Sequence, residues 1–398
     1  MTSTRAQPAP ETSRARTAVV VAFAANGLAF ASFISRTPAI RDALGLSSGQ
    51  LGLLLLCLSG GSIAGLPLSG PIVYRLGPGR TVRAGAWSVA FGLVLLVVGL
   101  VTGVVLPAAV GLVFTGLGSG IWDVAMNVEG ADVERRLGRS LMPRLHAAFS
   151  LGTVTGAGLG AVSAATGVPL AVQVIVVAAL LPAVVMVATR RFTPHVPAPV
   201  DERSAGSGAL AAWREPRTLL VGLMVLGFAF TEGSANDWLA VAFVDGYRTD
   251  QALGAIGYGF FVIAMTVGRM VGGSALERFG RVAILRTMAG FGVAGLLLVL
   301  LGGSTLVALG GALLWGIGAS LGFPVGMSAA ADDPARAAAR VSVVSSIGYT
   351  AFLAGPPLIG LLAEHTGILR ALFVVLGALV LGLLASGAAR PLRVDPAG

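Results

Sequence analysis

Glu232 lies at the middle of a long apolar stretch, residues 219–243, where few sequences place a carboxyl group. About 20 apolar residues are enough to span a bilayer. An ionisable side chain at the centre of such a span costs roughly 2.5 to 3.5 kcal/mol on insertion scales, so it needs a partner or a function. We predict that Glu232 binds and releases a proton as water reaches it from either side. The alternative is a structural glutamate that stays protonated or hydrogen-bonded.

A second set of polar residues lies in the second half of the apolar run 107–131 and at the start of the next run. Asp123 and Asn127 are one helical turn apart and share a face. We predict Asp123 as a second proton site or substrate contact, against a hydrogen bond that joins two spans. His146 begins the next run and is a candidate proton relay. An interfacial cap is slightly favoured for it, because its repeat partner is Tyr349. Glu129 is expected to be a solvated end.

Amides and aromatic side chains inside the apolar runs predict a cavity for a polar solute. Asn26 is near the midpoint of the first run and forms a candidate polar pair with Glu232. Arg36 is expected to attract an anionic solute or to pair with Asp237; its alternative role, like that of Trp238, is to anchor a membrane interface. The candidate cavity residues are Asn26, Arg36, Asn127, Asn236, Asp237, Trp238 and Tyr258.

The composition explains why these groups are so exceptional. The chain has 398 residues, of which 55% are hydrophobic and 11% charged, and its mean hydropathy is +0.87. Soluble domains carry about 25% charged residues, so this chain needs the bilayer as its solvent. We predict an all-α integral membrane protein with twelve transmembrane helices. The predicted spans are 17–40, 47–74, 82–103, 107–131, 145–166, 169–189, 219–243, 253–276, 282–302, 305–331, 341–364 and 369–389.

The arginines of the chain define its predicted orientation. The net charge is +9, and the 27 basic residues are all arginine. Most of them fall in alternate connections and at the two ends, which the positive-inside rule assigns to the cytoplasm. Both termini are therefore predicted to be cytoplasmic, and the basic excess does not indicate nucleic acid as a partner. The remaining arginines are Arg36, Arg41, Arg248 and Arg370 in outer loops and Arg269 inside a span.

A nine-residue segment that starts at Gly273 and ends at Arg281 has a degraded copy between Gly70 and Arg80. The two starting glycines are 203 residues apart, about half the chain. This repeat predicts two six-helix bundles related by a pseudo-twofold along the membrane normal. The predicted organisation is a tail at 1–16, an N-terminal bundle at 17–189, a cytoplasmic linker at 190–217, a C-terminal bundle at 218–389 and a tail at 390–398.

The repeated segment resembles the signature Gly-x-x-x-Asp-Arg-x-Gly-Arg of the Major Facilitator Superfamily. Glu277 stands at the acidic position of the second copy and Tyr74 at that of the first. The segment from Trp122 to Gly130 resembles, more weakly, the bacterial fucose-permease-like sugar/proton symporters. The resemblance implies alternating access around a central cavity and a gating role for the signature. We predict a lock on the cytoplasmic face in which Arg269 joins Glu277, with substrate binding by Arg269 as the alternative. The predicted gating residues are Gly70, Arg75, Gly77, Arg80, Arg269, Gly273, Glu277, Arg278, Gly280 and Arg281.

Other chemistries find little support in the sequence. Without lysine there is no P-loop, and three scattered histidines with the single Cys57 offer no metal-ligand spacing, so no cofactor or metal is predicted. No catalytic constellation of an enzyme is visible. The leading hypothesis is a proton-coupled transporter of a small polar solute, a monomer in the cytoplasmic membrane of a bacterium. The alternatives are a proton-antiport exporter of hydrophobic compounds and a membrane receptor that has lost transport.

Overall fold

The computed structural model describes residues 10–137, 141–193, 211–333 and 336–391. Those residues form helices and short connections, and none of them is in a β-strand. Twelve helical segments are long and apolar enough to cross a membrane. The predicted fold class, an all-α membrane protein with twelve spans, is therefore confirmed. The predicted linker and both tails, including His195, lie mostly outside the described residues.

The first six spans are formed by α1 and α3 to α7. The short helix α2 stands between spans 1 and 2, so the first span ends at Ile34 and not at residue 40 as predicted. Pro38 lies in the first turn of α2, where a proline has no hydrogen bond to lose. The helices are α1 (Pro10–Ile34), α2 (Thr37–Leu44), α3 (Ser48–Leu76), α4 (Pro78–Thr102), α5 (Val105–Leu137), α6 (Met142–Ala165) and α7 (Leu170–Thr189).

The last six spans contain more interruptions than the first six. Span 7 is α8 with a π-helical end, span 10 consists of α11 and α12, and span 12 consists of α14, α15 and a terminal 3₁₀ turn. The helices are α8 (Pro216–Val241, continued by the π turn Ala242–Gly246), α9 (Gln251–Phe279), α10 (Arg281–Leu301), α11 (Thr305–Ala319), α12 (Gly322–Ala330), α13 (Ala337–Thr366), α14 (Ile368–Ala371), α15 (Phe373–Ala385) and the 3₁₀ turn Ser386–Ala389.

The chain divides into two compact units. Unit 1 is Met1–Ile34 with Cys57–Pro199, and unit 2 is Ser35–Leu56 with Val200–Gly398. The second division falls within the predicted linker. Residues 35–56, which contain α2 and the start of α3, group with unit 2 although they precede most of unit 1 in the sequence. The predicted bundle boundaries stay a prediction.

The internal repeat is visible in the backbone. Every described residue with a positive φ has a counterpart with positive φ 200 or 203 residues away. Gly77 and Gly280 end spans 2 and 8 with nearly identical angles, φ 76° and ψ 160° against φ 78° and ψ 161°. Only glycine adopts this region without steric cost. The four pairs are Gly45 with Arg248, Gly77 with Gly280, Gly103 with Gly303, and Gly167 with Gly367.

Glycines also set the helix packing in both units. A methyl group on Gly92 of α4 would collide with the Gly111 carbonyl oxygen of α5. In unit 2, a methyl group on Gly318 of α11 would collide with Gly292 of α10. Small residues let membrane helices approach closely enough for backbone contact, which is a main source of attraction where lipid replaces water. Spans 3 and 4 therefore pack as spans 9 and 10 do.

Span 10 is interrupted at Ser320 and Leu321, and the interruption follows from Pro324. In an α-helix the N–H of residue 324 would bond to the carbonyl of Ser320, but proline has no N–H. The regular ladder resumes one residue later, where Val325 N donates to Leu321 O over 3.0 Å. The Ser320 carbonyl is thus left without a backbone donor among the described residues.

Candidate functional site

An ion pair joins two membrane spans of unit 2. Arg269 Nη2 of α9 donates to both carboxylate oxygens of Glu232 of α8, over 2.9 and 3.0 Å. The side chain of Glu232 is 15% exposed and that of Arg269 is 29% exposed. Each of these charges is stabilised by the other, because an unpaired charge inside a membrane span is poorly solvated. The structure thus pairs Arg269 with Glu232 and not with Glu277.

The interrupted span 10 completes this cluster. Arg269 Nε donates to the Ser320 carbonyl oxygen over 3.2 Å, so the arginine takes the place of the missing backbone donor. The Ser320 hydroxyl donates to Ile317 O over 2.6 Å. At a neighbouring level, Trp315 Nε1 donates to Thr231 O over 3.2 Å and joins α11 to α8 next to Glu232. Spans 7, 8 and 10 are therefore linked by polar contacts within the membrane.

Three of the predicted cavity residues follow Glu232 on α8. Tyr258 of α9 is buried, and its hydroxyl donates to Asn236 Oδ1 over 3.3 Å. Asp237 is half-buried. Trp238 is fully buried, and its indole N–H has no acceptor among the described residues. The structure thus places Trp238 inside unit 2 and not at an exposed interface.

Unit 1 contains an uncharged polar cluster. Asn26 of α1 is 2% exposed, and its Oδ1 accepts from the Ser119 hydroxyl of α5 over 3.1 Å. The amide nitrogen of Asn26 and the indole nitrogen of Trp122 are buried without an acceptor in the described part of the chain. Unpaired buried donors are costly. Such donors favour a bound group that accepts hydrogen bonds.

The remaining polar residues of unit 1 lie further along α5 and α6. Asn127 Nδ2 donates to the backbone oxygen of Asp123 over 2.8 Å, and Asp123 itself is exposed. His146 is exposed and its ring contacts Phe23 edge-on, with centroids 5.4 Å apart. The structure does not bring His146 into hydrogen-bond contact with Asp123.

Glu129 is buried, contrary to the expectation of a solvated end. It is 1% exposed, and its Oε1 accepts from the backbone N–H of Thr193 over 2.7 Å and from the Thr193 hydroxyl over 2.9 Å. This carboxylate therefore holds the beginning of the predicted linker. The expectation failed because burial depends on where residue 193 returns in space, which the local sequence does not reveal.

The helix α2 carries charges that bind other parts of unit 2. Arg41 pairs with Asp245 of the π turn at the end of span 7. Gln251, the first residue of α9, accepts from Arg36 over 3.4 Å and donates to Asp42 over 3.3 Å. No ion pair between Arg36 and Asp237 is present among the described residues. Within unit 2, α2 is thus tied to the predicted outer ends of spans 7 and 8.

The two copies of the signature differ in their contacts. Arg281 Nη1 binds Asp332 Oδ1 over 2.7 Å, and Arg217 Nη2 binds the other oxygen of Asp332 over 2.8 Å. Glu277 and Arg278 are exposed, and Arg278 lies 5.2 Å from the ring centroid of Phe279. Of the predicted gating residues in the first copy, Gly77 is buried, whereas Gly70, Arg75 and Arg80 are exposed. The gating role of these residues stays a prediction.

Comparison with known proteins identifies the family. The sequence model of the Major Facilitator Superfamily matches residues 19–351. The chain belongs to this superfamily. It is a multi-pass membrane transporter and not an enzyme. The transporter is 30% identical to the uncharacterized transporter y4wD of Sinorhizobium fredii, over 90% of this chain and 93% of the relative. It is 29% identical to an uncharacterized MFS-type transporter of Yersinia pestis, over 92% of both.

Solved structures share the fold of this transporter at low sequence identity. A variant of the nucleoside transporter NupG matches with a TM-score of 0.78 at 14% identity, over 94% of this chain and 99% of that one. The transporter FucP in its outward conformation matches with a TM-score of 0.63 at 14% identity, over 94% and 98%. These likenesses confirm the fold resemblance noted from the sequence.

Sequence reasoning missed two residues of the unit 2 cluster, Ser320 and Pro324. The signal was available, because Leu-Gly-Phe-Pro follows an apolar run too short to cross the membrane by itself. A proline there predicts an orphaned carbonyl four residues earlier. It does not predict which side chain supplies the donor.

Proposed function

We propose that the transporter is proton-coupled and moves a small polar organic solute by alternating access, with Glu232 as the proton carrier and Arg269 as its charge partner. The observation that carries this proposal is the carboxylate–guanidinium pair between spans 7 and 8. Protonation of Glu232 would remove the negative charge that holds Arg269 Nη2. The pair thus has two states of different charge, which is what coupling to a proton gradient requires.

The solute class follows from hydrogen-bond donors that each unit leaves without an acceptor. The buried donors of Asn26, Trp122 and Trp238 need acceptors, and hydroxyl or carbonyl oxygens of a polar solute provide them. Arg269 Nη1 has no hydrogen-bond partner among the described residues, so it is also open to an acceptor. An apolar drug would leave all of these donors unpaired. The names of two structural neighbours, a nucleoside transporter and a fucose:proton symporter, fit this class.

We infer that two ion-paired contacts of unit 2 change during alternating access. One end of unit 2 has the ion pair of Arg41 with Asp245. The opposite end has the ion pair of Arg281, at the start of span 9, with Asp332, just after span 10. We place the first pair outside and the second in the cytoplasm, because the arginine distribution assigns both termini to the cytoplasm. The relatives are bacterial, which supports a location in the cytoplasmic membrane of a bacterium.

The test is transport by the full-length protein in liposomes, with labelled uridine and L-fucose as probes and an imposed pH gradient. We expect Glu232→Gln to reduce proton-driven accumulation to the level of protein-free liposomes while counterflow exchange continues, because the uncharged amide cannot carry a proton. Glu364→Gln is the matched control, since it removes the charge of an exposed carboxylate near the end of span 11 that has no part in the proposal.

The outcomes separate the competing functions. Accumulation by Glu232→Gln equal to that of the unmodified protein would overturn the role of Glu232. Transport of a hydrophobic cation against a proton gradient, with no uptake of either polar probe, would favour an exporter. Binding of a probe without flux in any direction would favour a receptor.

A further inference from the structure

The cluster contains an acceptor for Arg269 that does not depend on Glu232. This acceptor is the Ser320 carbonyl oxygen, which lies 3.2 Å from Arg269 Nε. This oxygen lacks its helical donor because residue 324 is proline and gives no N–H to the carbonyl four residues earlier. Ser320 is fully buried. A buried carbonyl without a donor costs several kcal/mol in a membrane, so the arginine is held there strongly.

The geometry of the guanidinium gives this contact a directional consequence. Nε and Nη2 lie on one edge of the planar group, and both are occupied, by Ser320 and Glu232 respectively. The Ser320 contact therefore fixes the rotation of the guanidinium about the side-chain axis. If Glu232 were neutral, Nε would still be held, and the arginine would stay beside the carboxyl group.

Other helix prolines in the described residues lack such a partner. Pro182 of α7 likewise removes the donor for a carbonyl, that of Ala178, yet no side chain donates to that oxygen in the part of the chain that the structure describes. Within the described ranges, the match between a proline-freed carbonyl and a membrane arginine occurs at span 10.

We infer that Pro324 is a positioning residue, which acts through the Ser320 carbonyl to keep Arg269 beside Glu232 in both charge states of that carboxyl group. What the held arginine is for rests on the proposed function, because retention matters only if Glu232 changes its charge during transport. The holding itself does not depend on that function and is tested without a substrate.

The experiment measures how fast phenylglyoxal, a small arginine-specific reagent, modifies Arg269 in the purified full-length protein, by peptide mass spectrometry. The Glu232→Gln background removes the ionic contact and leaves Ser320. Pro324→Ala in this background restores an N–H for the Ser320 carbonyl and should release the arginine. We expect modification about tenfold faster than in Glu232→Gln alone, which is the effect of losing one charge-assisted hydrogen bond.

Two further variants separate the N–H group from a general loosening of the helix. Lactic acid incorporated at position 324 has the methyl side chain of alanine but an ester oxygen in place of the N–H, so it should restore slow modification. Pro182→Ala in the same background adds an N–H to another span and should leave the rate within about twofold of the Glu232→Gln value.

The inference would be overturned if Arg269 were modified equally fast in Glu232→Gln with and without Pro324→Ala. Fast modification of the lactic acid variant would also overturn it. Failure of the proposed function would look different. In that case Glu232→Gln would still accumulate solute with the proton gradient, whatever the modification rates are.

Discussion

Spans 4 and 10 occupy equivalent positions in the internal repeat, yet only span 10 is interrupted. Gly116 and Gly118 correspond to Gly316 and Gly318 at an offset of 200 residues. The same offset aligns Val124 with Pro324. Span 4 is the continuous helix α5, whereas span 10 is split into α11 and α12. Among the residues that differ between the two spans, Pro324 is the one that removes a backbone donor from span 10.

The neighbouring spans differ in a matching way. Arg269 of span 8 corresponds to Leu66 of span 2 at the offset of 203 that aligns the two signatures. Unit 2 therefore has both the proline that frees a carbonyl and the arginine that donates to it, whereas the equivalent positions of unit 1 hold Val124 and Leu66. Instead, unit 1 has Asp123 and the neutral pair of Asn26 with Ser119. A helix break inside a membrane is tolerated where another group satisfies the freed backbone.

The largest effect is expected from moving the break into unit 1. Val124→Pro would remove the hydrogen bond to the Gly120 carbonyl in a unit where Leu66 stands at the position of Arg269. We expect the free energy of unfolding to fall by about 3 kcal/mol or more, measured by thermal unfolding in detergent. Adding Leu66→Arg should recover part of the loss if the comparison is right. A double variant less stable than Val124→Pro would contradict it.

The next effect breaks the pair in unit 2. Arg269→Ala leaves Glu232 without its cation and Ser320 without its donor, so we expect a loss of about 3 kcal/mol by the same measurement. Leu66→Ala, at the equivalent position of unit 1, should cost about 1 kcal/mol because it removes only apolar contact from a half-buried side chain. The double variant Glu232→Gln with Arg269→Gln should be more stable than Arg269→Ala. Equal costs at positions 66 and 269 would show that the ion pair has no net effect on stability.

A smaller effect concerns a turn that the two halves build from different residues. Gly45 and Arg248 are the one positive-φ pair in which a residue other than glycine occurs, with φ 61° and 55°. Gly45→Ala should lower stability by about 1 kcal/mol, since the methyl group disfavours the left-handed region. Arg248→Asn should raise it by about half as much, because asparagine tolerates this region better. Changes of the same sign at both positions would mean that contacts, and not backbone strain, decide.

The smallest effect compares the two ends of the predicted linker. At the second end, the Arg340 guanidinium lies 2.6 Å from the half-buried carboxylate of Glu215 and lowers its pKa from 4.5 to about 2. Thr218 and Arg336 donate further hydrogen bonds to the same carboxylate. Because the pKa is lower in the folded state, this contact stabilises the protein above about pH 4.5. The stabilisation is lost as the pH falls from there through about 2.

Glu215→Gln should therefore cost at most about 1 kcal/mol at pH 7, and the cost should shrink towards pH 3 and in high salt. Glu129→Gln at the first end should depend less on salt, because Glu129 accepts from the neutral Thr193. Thermal unfolding across pH and salt measures both. A cost for Glu215→Gln that grows on acidification would contradict the assigned sign.

Much of the fold could be predicted because the local composition of the chain identifies its membrane spans. The twelve apolar runs were recognisable, and most of their ends agree with the helices to within a few residues, since lipid requires about 20 apolar residues in a row. The repeat was also recognisable. Its two copies keep a glycine, at 77 and 280, where the turn needs a positive φ. The end of the first span was wrong because Thr37–Leu44 is apolar enough to continue it.

The site was predictable as a set of residues but not as a set of pairs. Glu232 and Arg269 each stood out, because a charge in an apolar run is rare, yet the sequence favoured Glu277 as the partner two turns away. The structure shows a partner 37 residues away on another span. Similarly, the two ends of the Glu129 contact are 64 residues apart. Pairing between helices depends on their rotation and depth, which local spacing does not define.

The sequence by itself determined the class of solvent, the number of spans, the duplication and the presence of buried charges, because each of these depends on residue type and order along one helix. Only the tertiary structure decided that Arg269 joins Glu232 to the Ser320 carbonyl. That choice depends on three helices meeting at one depth, where every unpaired polar group is costly and the nearest complementary group is therefore taken.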